Sequence, residues 1–130
     1  MSTDESKAFI QQYLATINGK AKPPVLVNQY VSDRDEGLRQ HIAATEAAFP
    51  HYELLADDLI AEGDKVVVRF RLRATLQGEF MGLPATGRSI NVPGLIIYRL
   101  AANEDIEVKI IEHWMQIDAL ALMEQLGVQA

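Results

Sequence analysis

The residues best suited to chemistry stand in one run, Ile110-Ile111-Glu112-His113-Trp114-Met115-Gln116-Ile117-Asp118. It holds the only tryptophan of the chain, one of its three histidines and two carboxylates. A carboxylate can remove a proton from a carbon beside a carbonyl only if its basicity is raised. An ordinary Asp titrates at about 3.9, and burial among apolar groups raises that value because desolvation disfavours the charged form. In this scheme ionised Asp118 takes the proton, and neutral Asp118 returns one to the new alkoxide. His113, if it faces inward, either holds Asp118 by a hydrogen bond or donates the proton itself. A second reading of Asp118 stands beside the first. It directly precedes Ala119-Leu120, where the N-cap of a closing helix belongs. Trp114 either packs in a core or stacks on a substrate. Glu112 reads as the partner of an arginine, one of Arg69, Arg71, Arg73 or Arg99. The scattered His41, His51 and His113 lack metal-ligand spacing, so no metal and no cofactor is expected.

The element that carries the run must decide which of these groups meet. Ile110, Ile111 and Ile117 are β-branched, which suits a strand. Side chains of a regular strand alternate between faces. Glu112, Trp114, Gln116 and Asp118 then share one face, and Ile111, His113, Met115 and Ile117 the other. The first row is costly to bury without partners. It is either a solvated face or the wall of a functional pocket.

The elements before it fall into two groups. Ser2 and Glu5 have the spacing of a capping box, and Phe9, Ile10, Tyr13, Leu14 and Ile17 recur at helical spacing. A first helix over 4–18 follows, closed by Asn18-Gly19. After Pro23-Pro24, residues 25–30 read as a short helix, and Asp33-Arg34-Asp35-Glu36-Gly37 as a polar turn. Leu38, His41, Ile42, Thr45 and Phe49 mark one face of a third helix, ended by Pro50. On that apolar face His41 is either a hydrogen-bonded core residue or a polar group reaching into a pocket. From Tyr52 the period drops to two. Strands are predicted over 52–62, 66–77, 89–100 and 106–117, with a break at Asp57-Asp58 and a turn over 101–105. The second alternates Val68, Phe70, Leu72 and Ala74 against Arg69, Arg71, Arg73 and Thr75. The centre of the third, 95–97, reads as buried on both sides. The loop 78–88 carries Phe80 and Met81, which suit a lid or a dimer contact. A helix over 119–126 closes the chain. Helices first, then antiparallel strands, predict an α+β fold with helices on one face of a curved sheet.

The 130 residues suit one domain spanning 1–130. A net charge of −6 argues against a nucleic-acid partner, which needs a concentrated basic surface. The chain has no cysteine, so disulfides and thiol chemistry are excluded. No apolar run approaches the roughly 20 residues of a membrane span, and the N-terminus lacks a signal-peptide pattern. A cytoplasmic protein without a membrane partner is expected.

A family resemblance rests on four stretches: Gly78-Glu79-Phe80-Met81-Gly82-Leu83-Pro84-Ala85-Thr86-Gly87-Arg88, Ile97-Tyr98-Arg99, Ile111-Glu112-His113-Trp114 through Asp118, and Gln125-Leu126-Gly127. With the opening helix and its Tyr13, they resemble the SnoaL-like polyketide cyclases, within the nuclear-transport-factor-like, cone-shaped α+β group. The resemblance implies a deep, mostly apolar pocket between the helices and the concave sheet. It implies a late-strand Asp as acid/base in an intramolecular aldol closure, and Asp118 has that position. Trp114 and Tyr13 are then pocket walls, joined by His41, Phe49, Phe80 and Met81, with Glu112 and Gln116 on the strand. The resemblance also implies a homodimer through the outer sheet face. The turn between Arg99 and Glu112 is longer than the hairpin usual in the family, and a bulge there would carry His113 to the pocket side.

Three functions fit. The first is a cofactor-free enzyme on a small hydrophobic carbonyl compound, by aldol cyclisation or a related isomerisation, with Asp118 and His113 catalytic. The second is a binder that uses the same pocket without turnover. The third is a dimeric interaction module working through its arginine-bearing face or its Phe80-Met81 loop.

Overall fold

Ser2 and Glu5 cap the first helix reciprocally. The Glu5 N–H donates to Ser2 Oγ at 3.1 Å, and the Ser2 N–H donates to Glu5 Oε1 at 3.3 Å. In the computed structural model, which describes residues 2–102 and 107–128, α1 (Thr3–Ile17) buries Ile10, Tyr13, Leu14 and Ile17. The Asn18 side chain then ties its end to the sheet, with bonds to the Leu54 carbonyl at 2.8 Å and from the Leu54 N–H at 2.9 Å. The second helix, α2 (Pro24–Val27), is shorter than expected. Residues 30–32 leave it to pair with a strand edge: Ile110 donates to the Tyr30 carbonyl and Ser32 donates to the Ile110 carbonyl. The third, α3 (Glu36–Ala48), starts at Asp35, whose side chain accepts the Leu38 N–H at 3.0 Å.

The strands β1 (Glu53–Glu62), β2 (Lys65–Thr75), β3 (Ser89–Ala102) and β4 (Val108–Ile117) form an antiparallel meander in sequence order. The sheet is curved and unclosed, and α4 (Ala119–Leu126) follows it. The predicted break at Asp57-Asp58 is a register shift between Ala56 and Asp58. Of the predicted turn over 101–105, residues 103–105 lie outside the described residues, as does Ile106. Among the described residues, no helix is long and apolar enough to cross a membrane.

Register decides which face is inside. Val66, Tyr98 and His113 form one cross-strand row, Val68, Ile96 and Met115 the next, and Phe70, Gly94 and Ile117 a third. Val66, Val68, Phe70, Ile96 and Tyr98 are all buried under the helices. The third row closes only around a glycine. A Cβ on Gly94 would stand 2.5 Å from Phe70 Cζ and 2.8 Å from the Gln116 carbonyl oxygen. The intervening rows point outward: Val67, Ile97 and Trp114, then Arg69, Leu95 and Gln116. The centre of β3 is therefore covered on one side only, against expectation, and Leu95 is 50% exposed.

Candidate active site

His113 reaches the inner face because β4 is not regular. Its pairing with β3 slips between Arg99 and Leu100: Arg99 faces Glu112, but Leu100 faces Ile110. Ile111 is the extra residue, a bulge of the kind that moves His113 onto the cavity side. Ile110 and His113 consequently lie on the same side of the sheet. His113 Nδ1 then stands 2.7 Å from Asp35 Oδ2. With Asp35 as a carboxylate, which has no proton to give, the imidazole donates from Nδ1 and the Nε2 lone pair stays free of this bond. The Asp35 side chain is nearly buried, at 9% exposure. A carboxylate in that setting needs partners. Its two oxygens have them, the Leu38 N–H on Oδ1 and the imidazole on Oδ2.

On the same sheet face lies a cavity of about 150 Å³ that neither residue lines; its wall includes their neighbours, Tyr98 across from His113 and Leu38 bonded to Asp35. The inner sheet face supplies Phe70, Ile96, Tyr98, Met115 and Ile117; the helices supply Tyr13, His41, Ile42 and Leu122. Tyr98 is the cross-strand neighbour of His113, and Met115 follows it by one turn of the strand's alternation. Phe80 closes one side by an edge contact to Phe49, centroids 5.2 Å apart. His41 lies at the rim, open to solvent on one side. Partial desolvation, and then the nearby His113, hold its pKa below the ordinary value. Burial pushes the Tyr13 hydroxyl well up, and the charges of Tyr98, Tyr52 and Asp35 add to that.

The structure brings Tyr13, His41, Phe49 and Phe80 together at the cavity wall and corrects the rest of the expected lining. Trp114, Glu112 and Gln116 occupy the outer sheet face, because the inner positions of β4 belong to His113, Met115 and Ile117. Trp114 is 48% exposed, and Glu112 accepts from Arg99 Nη1 at 2.6 Å, so the arginine pairing read from the sequence is the one found. Met81 is 72% exposed at the loop apex, away from the cavity. Asp118 is exposed and outside the cavity wall; it accepts the Ala121 N–H at 2.9 Å and caps α4. The carboxylate that holds His113 is Asp35, not Asp118.

Asp35, Tyr52 and Tyr98 are site residues that the sequence reading missed. Asp35 reads as part of a polar turn, and its imidazole partner is 78 positions away. The available signal was its place three residues before Leu38, an N-cap position that uses one oxygen and leaves the other free. Tyr98 shares the parity of Ile96 and Leu100 in an alternating strand, which marks the buried side.

A model of the SnoaL-like polyketide cyclase family matches residues 13–126. No curated protein matches the chain. Among solved structures, AclR from Streptomyces galilaeus is 26% identical, with a TM-score of 0.79 over 97% of this chain and 83% of its own. TsrD from Streptomyces laurentii is 26% identical, with a TM-score of 0.78 over 99% of each chain. A SnoaL-like polyketide cyclase from Agrobacterium tumefaciens shares the fold, at 24% identity and a TM-score of 0.73 over 98% of this chain and all of its own, 100%.

Proposed function

The chain belongs to the SnoaL-like polyketide cyclase family, and on that premise we propose that it binds a small hydrophobic carbonyl compound and shuttles protons on it with His113. Asp35 acts as the positioning residue. It fixes the imidazole tautomer, steadies the ring and stabilises the imidazolium that forms. The observation that carries this reading is the 2.7 Å Asp35–His113 pair, one residue removed from a mostly apolar cavity whose wall holds Tyr98, the cross-strand neighbour of His113, and Leu38, which Asp35 caps. Neutral His113 takes a proton from the carbon next to a carbonyl. The C–H electron pair moves into the enolate and onto its oxygen. The enolate carbon then either attacks a second carbonyl, closing a ring, or is reprotonated elsewhere, giving an isomer. The imidazolium returns the proton to the new alkoxide or carbon. The carbonyl delocalises the charge, so these steps need no cofactor. An imidazole can take a proton and return it, which suits one group that serves first as base and then as acid.

The test is hydrogen–deuterium exchange of the methyl protons of acetophenone in D2O, followed by proton NMR. Wild type should accelerate exchange, and His113→Asn should lose about 10²–10⁴-fold, the usual worth of a positioned general base. Exchange that is equally fast in both would remove His113 from the chemistry. A compound that binds and is recovered unaltered and unexchanged would favour the second reading, a binding module. That reading has its support in the cavity lining, which includes neither His113 nor Asp35.

We also propose a homodimer through the outer sheet face. Ile60, Val67, Ile97 and Trp114 form one apolar row across all four strands there, with Leu95 beside it.

A further inference from the structure

Buried tyrosines normally find a partner for the hydroxyl. Tyr30 does: its oxygen lies 3.1 Å from Thr16 Oγ1. Tyr13, Tyr52 and Tyr98 do not. Each is at most 3% exposed, each lines the cavity, and none has a hydrogen bond to a described residue. Their oxygens are also not sealed off, since no side-chain polar atom among the described residues is both buried and unpartnered. The hydroxyls therefore abut the cavity space itself. The three residues come from three elements: α1, the entry to β1, and β3. The rings of Tyr13 and Tyr98 meet edge to face at 5.8 Å.

We propose that Tyr13, Tyr52 and Tyr98 form a donor site for the oxygen of the bound compound, and that this compound is a single-ring ketone. The inference rests on reading the cavity as a carbonyl-binding site. Size sets the ring count. About 150 Å³ matches an engineered apolar cavity that takes benzene, and it is below the roughly 300 Å³ at which pockets for larger ligands begin. Chemistry sets the functional group. A phenol that stays protonated is a donor, and a ketone oxygen is an acceptor with no proton of its own. Burial raises the titration of all three hydroxyls, so they remain donors across the physiological range. A site built to donate rejects a ligand without the acceptor, because its own buried groups are then left unpaired. As His113 draws a proton from the neighbouring carbon, charge grows on the oxygen these hydroxyls hold. Donors aimed at that position favour the enolate over the ketone.

The test uses acetophenone labelled with ¹³C at the carbonyl, and ethylbenzene as the isostere lacking the oxygen, each titrated into the full chain. Acetophenone should bind at least about tenfold more tightly than ethylbenzene. Its carbonyl resonance should move downfield from its position in hydrocarbon solvent. Tyr13→Phe and Tyr98→Phe should each reduce both effects, with a Tm no lower than wild type, because no internal hydrogen bond is lost. Wild type itself separates this site from the proton transfer: intact binding without exchange defeats only the catalytic proposal. Equal affinity for the two compounds, binding of neither, unchanged binding in the Phe variants, or a sharp fall in their Tm would each overturn the donor site.

Discussion

Asp35 divides its work between two oxygens, one capping α3 and one holding His113. That division is not legible in the sequence, because a turn residue shows its cap position there but not a partner on a distant strand. Asp118 is ambiguous for the opposite reason: one sequence position suits both a cap and an acid, and the helix takes it. Its capping role predicts that Asp118→Ala loses about 0.5–2 kcal/mol in urea unfolding, while Asp118→Asn, another good cap, changes little. His41 makes a prediction with a definite sign. Partial desolvation, then His113, hold its folded pKa below the ordinary 6.5. The unfolded chain therefore takes up a proton at this position before the folded chain does. The stability that neutral His41 supplies is complete above pH 6.5 and is lost as pH falls below it, through the lower folded value. Because the residue is exposed at the rim, solvent screening keeps the effect small. Urea midpoints measured across that range should fall less steeply in His41→Gln than in wild type. Parallel slopes would show that His41 titrates as it does in the unfolded chain.

Elements with a single buried face are legible in the sequence, and β4 is not. In β2 the alternation of Val68, Phe70 and Leu72 with Arg69, Arg71 and Arg73 is enough to name the inner face. In β4 both faces mix polar and apolar groups, so periodicity cannot choose between them. The choice comes from pairing: the bulge at Ile111 sets the parity of everything after it. A one-residue slip exchanges the two faces, which is why Trp114, expected inside, stands outside. The inner row Phe70, Gly94, Ile117 depends on one missing side chain. A Cβ at Gly94 would meet a backbone oxygen at 2.8 Å as well as the Phe70 ring, and a backbone strand cannot simply swing aside. Gly94→Ala should therefore cost about 1–3 kcal/mol in denaturant unfolding, the usual range for an overpacked site. A loss below the error of the measurement would mean that the sheet relaxes there freely.

At the scale of the whole molecule, helices before an antiparallel meander are legible as an α+β fold, since each element announces its own period. The cavity is less legible, because its wall is assembled from residues far apart in sequence, such as Tyr13, Phe80 and Met115. The outer sheet face carries the assembly prediction. Ile60 is 61% exposed, and the apolar row it begins runs to Trp114 between flanking arginines. Burial across a two-fold axis would remove that row from water at about 25 cal/mol for each Å² of apolar surface. Sedimentation should give a dimer at micromolar concentration, and Trp114→Glu should give a monomer with its fold intact; a monomeric wild type would leave the row unexplained. The central claim concerns which carboxylate serves the imidazole. The most direct measurement is acetophenone exchange in D2O for Asp35→Asn and Asp118→Asn side by side, since both substitutions preserve a helix cap, while at Asp35 the amide also replaces the oxygen facing His113 Nδ1 by a donor. The account predicts a loss of about 100-fold or more for Asp35→Asn and wild-type exchange for Asp118→Asn. Exchange that survives in the first and disappears in the second would contradict it.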